Sequence, residues 1–226
     1  MTFRIGRRGI VLSAISAVDI ALWDLLGKKT NMPVYKLLGA FSSIIRAYAS
    51  GGYYAEGKGM EDLAKEAEEY VKMGFQAMKM KIGGTSIEED VERIRTVKNV
   101  LGNKVKLAID ANNSYNVNDE IRLCKQVEGF DLFFFEEPLS TDFVDNSRYL
   151  AERTTIPIAG YETEYTRYGI HGLLKDRAVS IAQTDAIWSG GITECRKIGI
   201  LASIYGLDII PHFSAGAVSL AANLQL

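Results

Sequence analysis

Along most of the chain a short apolar run is followed by a polar turn and then by a longer stretch of helical period, and this unit repeats. The runs fall at 46–50, 77–82, 106–111, 132–138, 157–162, 181–186 and 208–212. Helical spacing occupies 61–73, 86–101, 118–127, 145–153, 166–174 and 191–205. Seven strands alternating with helices predict parallel βαβ units. A closed parallel barrel of eight units takes about 250 residues, so seven runs predict an α/β fold of TIM-barrel type with one unit missing. A doubly wound open sheet is the competing architecture. Ahead of the repeats, residues 13–29 place Ile15, Val18, Leu22 and Leu25 on one stripe at helical spacing. That predicts a long amphipathic helix with the stripe in the core, capped by Ser13, with Lys28 and Lys29 in its last turn and Asn31-Met32-Pro33 as its breaker. The 133–135 phenylalanine run is also assigned to the core.

Composition changes the picture mainly by exclusion. The 226 residues are 47% hydrophobic and 24% charged, ordinary for a globular protein and unlike disordered, collagenous or disulfide-scaffold chains. A net charge of −2 argues against nucleic acid or an anionic membrane as the main partner. Cys124 and Cys195 have no CxxC neighbour, which fits a reducing compartment and offers no zinc-ribbon pattern. No run of 18 apolar residues and no signal-peptide pattern is apparent, so the expectation is a cytoplasmic protein without a membrane span. A Gly83-Gly84 pair follows the second run, but no GxGxxG opens a helix and no P-loop is present, so a nucleotide site has little support.

Charged residues fall where buried strands should end. Lys79 and Lys81 form a Lys-x-Lys on the second run, and period two points both to one side. Asp110, Glu136, Glu162, Asp185 and His212 close the next five runs, at intervals of 29, 26, 26, 23 and 27 residues counted from Lys81. In a parallel barrel all C-terminal strand ends share one rim, where active sites sit. Asp110, Glu136 and Glu162 make an all-oxygen set suited to a hard cation such as Mg²⁺ rather than zinc. Lysines in such a bowl can have depressed pKa values, which makes Lys81 usable as a base. His212 is the natural second acid/base, oriented by Asp185. Such a site is suited to proton abstraction beside a carboxylate. Singly, each residue has a plainer role: a solvated lysine pair, a carboxylate capping the next helix, a structural histidine. It is their joint spacing, one per unit, that points to chemistry. His171 is assigned to the surface or a cap.

The succession AISAVDIALWDLLGK (14–28), Lys79-x-Lys81, AIDANNSY (108–115), FFEEPL (134–139), IAGYETEYTR (158–167), QTDAIWSGGITE (183–194) and PHFS (211–214) resembles the mandelate racemase branch of the enolase superfamily. The wording around Glu162 is similar to that of acid-sugar dehydratases acting on aldonic acids such as rhamnonate. The resemblance implies Lys81 as the base on one face of the substrate, with Lys79 assisting. It implies Asp110, Glu136 and Glu162 as Mg²⁺ ligands, Asn112 near the substrate carboxylate, and a His212–Asp185 dyad on the other face.

It further implies that 1–40 is a helix joining a capping domain to the barrel and that 41–226 is a partial barrel. Cap and eighth strand are missing, which predicts a fragment with an open sheet edge. Tyr161 stands where the family usually has glycine, which would crowd the metal site. The expected activity is Mg²⁺-dependent dehydration of an acid sugar to a 2-keto-3-deoxy acid. A racemase or epimerase using Lys81 and His212 as a two-base pair, or an inactive barrel fragment, are the alternatives. The expected partner is a small acid-sugar or α-hydroxy-acid substrate, and the expected state a homo-oligomer.

Overall fold

The computed structural model describes residues 6–40 and 42–226; residues 1–5 and 41 of the two expected segments lie outside it. Among the described residues the strands are β1 (Ala49–Gly51), β2 (Ala77–Lys81), β3 (Lys106–Asp110), β4 (Phe135–Glu136), β5 (Ile158–Gly160), β6 (Ile181–Ala182) and β7 (Asp208–Ile209). The helices are α1 (Ile10–Thr30), α2 (Val34–Leu37), α3 (Met60–Lys72), α4 (Ile87–Leu101), α5 (Val117–Val127), α6 (Val144–Ala151), α7 (Thr166–Lys175), α8 (Ile192–Ile204) and α9 (Ala217–Asn223). The strand order in the sheet is the chain order, β1 to β7. That is the order of a βα barrel, whereas a doubly wound sheet reverses direction at a switch point. All seven runs become strands, shorter than the apolar runs that announced them. The described residues divide into two compact units, one of 46–159 and 177–179, the other of 6–40, 42–45, 160–176 and 180–226.

The first of these units holds β1 to β4 and most of β5. Its strands are covered by helices with strong start signals. Ser86 Oγ accepts from the Glu89 amide at the head of α4, and Asn116 Oδ1 accepts from Asn118 and Asp119 at the head of α5. Acidic residues crowd both first turns, favourable beside the positive end of a helix. Along β2, Met78 and Met80 alternate with Lys79 and Lys81, so the strand gives one face to the helices and the other to the lysines. Met78, Met80, Leu107, Ile109, Phe134 and Phe135 are fully buried, with Leu63 of α3, Ile94 of α4 and Leu123 of α5. Phe134 and Phe135 are therefore core, as expected, while Phe133 is half-buried.

The register fixes the rim of this unit. Lys81 pairs with Asp110, Asp110 with Glu136, and Glu136 with Ala159. Paired residues of neighbouring parallel strands point the same way, so Lys81, Asp110 and Glu136 stand in one row.

The other unit carries α1, α2, α7, α8, α9, β6 and β7. Helix α1 starts at Gly9 rather than at a Ser13 cap, and ends on Asn31 in the left-handed conformation with Lys28 and Lys29 in its last turn. Its apolar stripe is not core: Val18, Leu22 and Leu25 are each about 60% exposed, at 60%, 59% and 61%. The face directed at α8 packs Ile20 and Trp23 against a cluster that includes Ile192 and Cys195, and adds polar ties. Ser16 Oγ accepts from the Gly190 amide, Asp19 from the Thr193 amide, and Trp23 Nε1 donates to Thr193 Oγ1. Periodicity showed which residues share a face, but not which face is covered. Helix α1 is also long and apolar enough, at mean hydropathy 1.8, to cross a membrane by length and composition alone. Its polar side chains are nevertheless engaged with the loop before α8 and the first turn of that helix.

Candidate active site

The row at the ends of β2, β3 and β4 is a buried charge cluster. Lys79 Nζ bonds Glu136 Oε1 and lies 3.0 Å from Asp110 Oδ2. Lys81 Nζ donates to Asp110 Oδ2 and to Asn112 Oδ1, both at 2.6 Å. The remaining Asp110 oxygen accepts from the Asn112 amide at 3.0 Å. Asp110 and Glu136 are fully buried, and the Lys81 side chain keeps only 18% of its surface. Burial alone would lower the Lys79 ammonium, but Glu136 and Asp110 outweigh it and hold this lysine well above its ordinary value. The expectation of depressed lysines therefore fails at Lys79, because its neighbours are anions rather than a cation. The same pairing works on Asp110: burial raises its carboxyl, while Lys79 and then Lys81 bring it below the ordinary range.

Asn112 lies beyond β3 at a φ of 43°, a left-handed conformation asparagine tolerates. Its Nδ2 reaches Glu137 Oε2 at 3.4 Å. The Tyr53 ring stands 5.8 Å from Lys81 Nζ.

In the other unit, His212, Asp185 and Glu162 come together. His212 Nδ1 is 3.0 Å from Asp185 Oδ2, and its Nε2 is 2.8 Å from Glu162 Oε2. Burial would lower the imidazole, but hydrogen bonds to Asp185 and Glu162 raise it to about 9. These three residues lie past the ends of β5, β6 and β7, not on them as the spacing predicted. Pairing continues locally, with Ile210 N donating to Ala182 O and His212 N to Thr184 O, so His212 is still held by backbone. Asp185 Oδ1 accepts from Ile187 N at 3.0 Å and from Asn223 Nδ2 at 2.8 Å. Asn223 is a buried site residue that the spacing missed. The available signal was a lone asparagine in the apolar end of the chain, SLAANLQL. Tyr161 is fully buried beside Glu162.

Asp110 and Glu136 are acceptor-only, adjacent, buried and already bridged by one cation, the Lys79 ammonium, so their chemistry fits a hard metal ion. Among the described residues, however, no group of three or more His, Cys, Asp or Glu side chains is arranged to hold a metal. The expected third ligand, Glu162, bonds His212.

Comparison with known proteins gives consistent matches. A family model described as enolase C-terminal domain-like matches residues 62–226, and the mandelate racemase / muconate lactonizing enzyme N-terminal domain matches 3–39. The chain is 50% identical over its whole length to 60% of an arabinonate dehydratase from Saccharolobus solfataricus. Among solved structures, 99% of it superposes on 62% of the 3,6-anhydro-D-galactonate cycloisomerase from Zobellia galactanivorans, with TM-score 0.93 and 38% identity. A racemase from Streptomyces coelicolor with bound magnesium matches 98% of it at TM-score 0.90 and 33% identity, over 65% of that chain. The chain thus spans about 60% of the length of its relatives.

Proposed function

The chain belongs to the mandelate racemase / muconate lactonizing enzyme family of the enolase superfamily, and from that premise we propose that it carries the chemistry of an acid-sugar dehydratase. The observation that carries this reading is the buried row of Lys81, Asp110 and Glu136, an ammonium beside two carboxylates at the C-terminal ends of parallel strands. The 50% identity to an arabinonate dehydratase supports an aldonate as substrate.

In this mechanism Lys81 Nζ takes the proton α to the substrate carboxylate, and the C–H pair moves into the carboxylate. Lys79 holds positive charge nearby, and Asn112 binds the substrate carboxylate. His212 donates its proton to the β-hydroxyl, which leaves as water, and the enol becomes a 2-keto-3-deoxy acid. Which of Lys81 or His212 removes the α-proton depends on substrate configuration. Asp185 fixes the His212 ring, and Asn223 fixes Asp185. Asp110 and Glu136 would hold Mg²⁺, which when bound would supply positive charge against the charge growing on the substrate carboxylate. Hydrogen bonds to Asp185 and Glu162 raise His212 to about 9, which suits it to donate a proton to a leaving hydroxyl.

The test is proton NMR of the chain with Mg²⁺ and a panel of five- and six-carbon aldonates in D₂O. Loss of an α-proton signal with a new 3-deoxy resonance is expected. Exchange or inversion with the hydroxyl retained would move the assignment to a racemase or epimerase. No exchange with any acid would contradict the assignment.

A further inference from the structure

Asp90, in the first turn of α4, is fully buried and belongs to none of the groups that touch Lys81. Its carboxylate nonetheless gathers three separate loops at the rim. Oδ2 accepts from the Gly83 amide at 2.8 Å, in the loop after β2, and from the Tyr115 hydroxyl, in the loop after β3. Oδ1 accepts from the Tyr54 hydroxyl, in the loop after β1. Arg93 backs the cluster. Its Nε lies 3.7 Å from Asp90 Oδ1, its guanidinium 4.0 Å from the Tyr54 ring centre, and its Nη2 donates to Gly52 O at 2.7 Å.

The three loops are closely fitted. A Cβ on Gly84 would come 2.7 Å from the Tyr54 ring, and one on Gly83 would come 2.6 Å from Ser114. Burial and the Asp90 hydrogen bond push both tyrosine hydroxyls above their ordinary values, so both stay protonated donors.

Two of the tied loops carry the neighbours of Lys81. Tyr54 follows Tyr53, whose ring flanks Lys81 Nζ, and Tyr115 closes the turn that begins with Asn112, whose Oδ1 accepts from Lys81 Nζ. Strand β2 fixes the lysine backbone, but the aromatic wall and the amide beside the amine come from loops, which have no ladder of their own. We propose that Asp90 is the positioning residue of this site, tying the loops after β1, β2 and β3 together so that Tyr53 and Asn112 stay against the Lys81 amine. The proposal rests on Lys81 as the reacting base.

Tyr54→Phe and Tyr115→Phe each remove one hydroxyl and keep the ring. Asp90→Ala strips Arg93 of its counter-charge and risks the fold, so the tyrosine variants carry the test. Each folded variant is treated with an amine-acylating reagent at fixed pH. The rate at Lys81 is read by peptide mass spectrometry against exposed Lys29 as reference. The expected result is acylation of Lys81 about tenfold faster at an unchanged Lys29 rate, with kcat for α-proton loss falling by about the same factor and KM moving less. Tyrosine variants that melt normally and acylate Lys81 at the wild-type rate would overturn the proposal, since a purely structural role moves only the melt. Absence of α-proton exchange in the wild type would instead overturn the dehydratase reading and leave the acylation result standing.

Discussion

The lysine cluster of β2–β4 and the histidine cluster beyond β6 and β7 neutralise buried carboxylates in different ways. In the first, every charged group is a strand residue, and register alone sets Lys81 beside Asp110 and Asp110 beside Glu136. In the second, Glu162, Asp185 and His212 lie on connections; the Asn223 side chain and the Ile187 amide hold Asp185, and a backbone bond to Thr184 holds His212. In each cluster a cationic group set among anions is raised above its ordinary value, Lys79 by Glu136 and Asp110, and His212 by Asp185 and Glu162. The difference lies in what keeps the geometry: strand register in one, loop backbone and the Asn223 side chain in the other.

The sharpest break of that comparison is Lys81→Met. Lys79 remains between Asp110 and Glu136, so the melting temperature should change little. The rate of α-proton removal should fall about 10²–10⁴-fold. Equal activity in the variant would remove Lys81 from the chemistry. Lys79→Met should do the reverse, leaving two buried carboxylates with one neighbouring ammonium and costing about 3–5 kcal/mol in denaturant unfolding.

The histidine cluster should show itself through pH. A folded-state pKa of about 9 against an ordinary 6.5 means stability fully present below pH 6.5 and lost as pH rises through 9. The amount is about 3 kcal/mol. Lys79 starts from 10.5 and is raised further, so its contribution declines only above that value and leaves this window flat. His212→Gln should therefore reduce the fall of stability measured between pH 6.5 and 9. Asn223→Ala, which removes one buried donor from Asp185, should cost about 1–3 kcal/mol. It should lower activity in the same preparation, and intact activity would show that Ile187 N suffices.

This difference also explains how much was legible in the sequence. The alternation of strand and helix was readable because burial on both faces of a parallel strand produces short apolar runs, and a row of charges at their ends is a register effect with a regular interval. The histidine cluster was half readable. The interval located His212 and Asp185, but nothing in it indicated that Glu162 would bond His212 Nε2 or that Asn223 would hold Asp185. The stripe of α1 misled for a related reason, since the helix docks by another face, through hydrogen bonds of Ser16, Asp19 and Trp23 and apolar packing of Ile20 and Trp23. Glu120 of α5 was not legible either: it is fully buried with neither oxygen partnered, and burial raises its carboxyl well above the ordinary value.

The most direct measurement of the central claim is deuterium wash-in at the α-carbon of an aldonate, followed by proton NMR in D₂O with Mg²⁺, for the chain and its Lys81→Met and His212→Gln variants. The account predicts loss of the α-proton with formation of a 3-deoxy product in the wild type, and no 3-deoxy product in either variant. Product formed at the wild-type rate by both variants would contradict it.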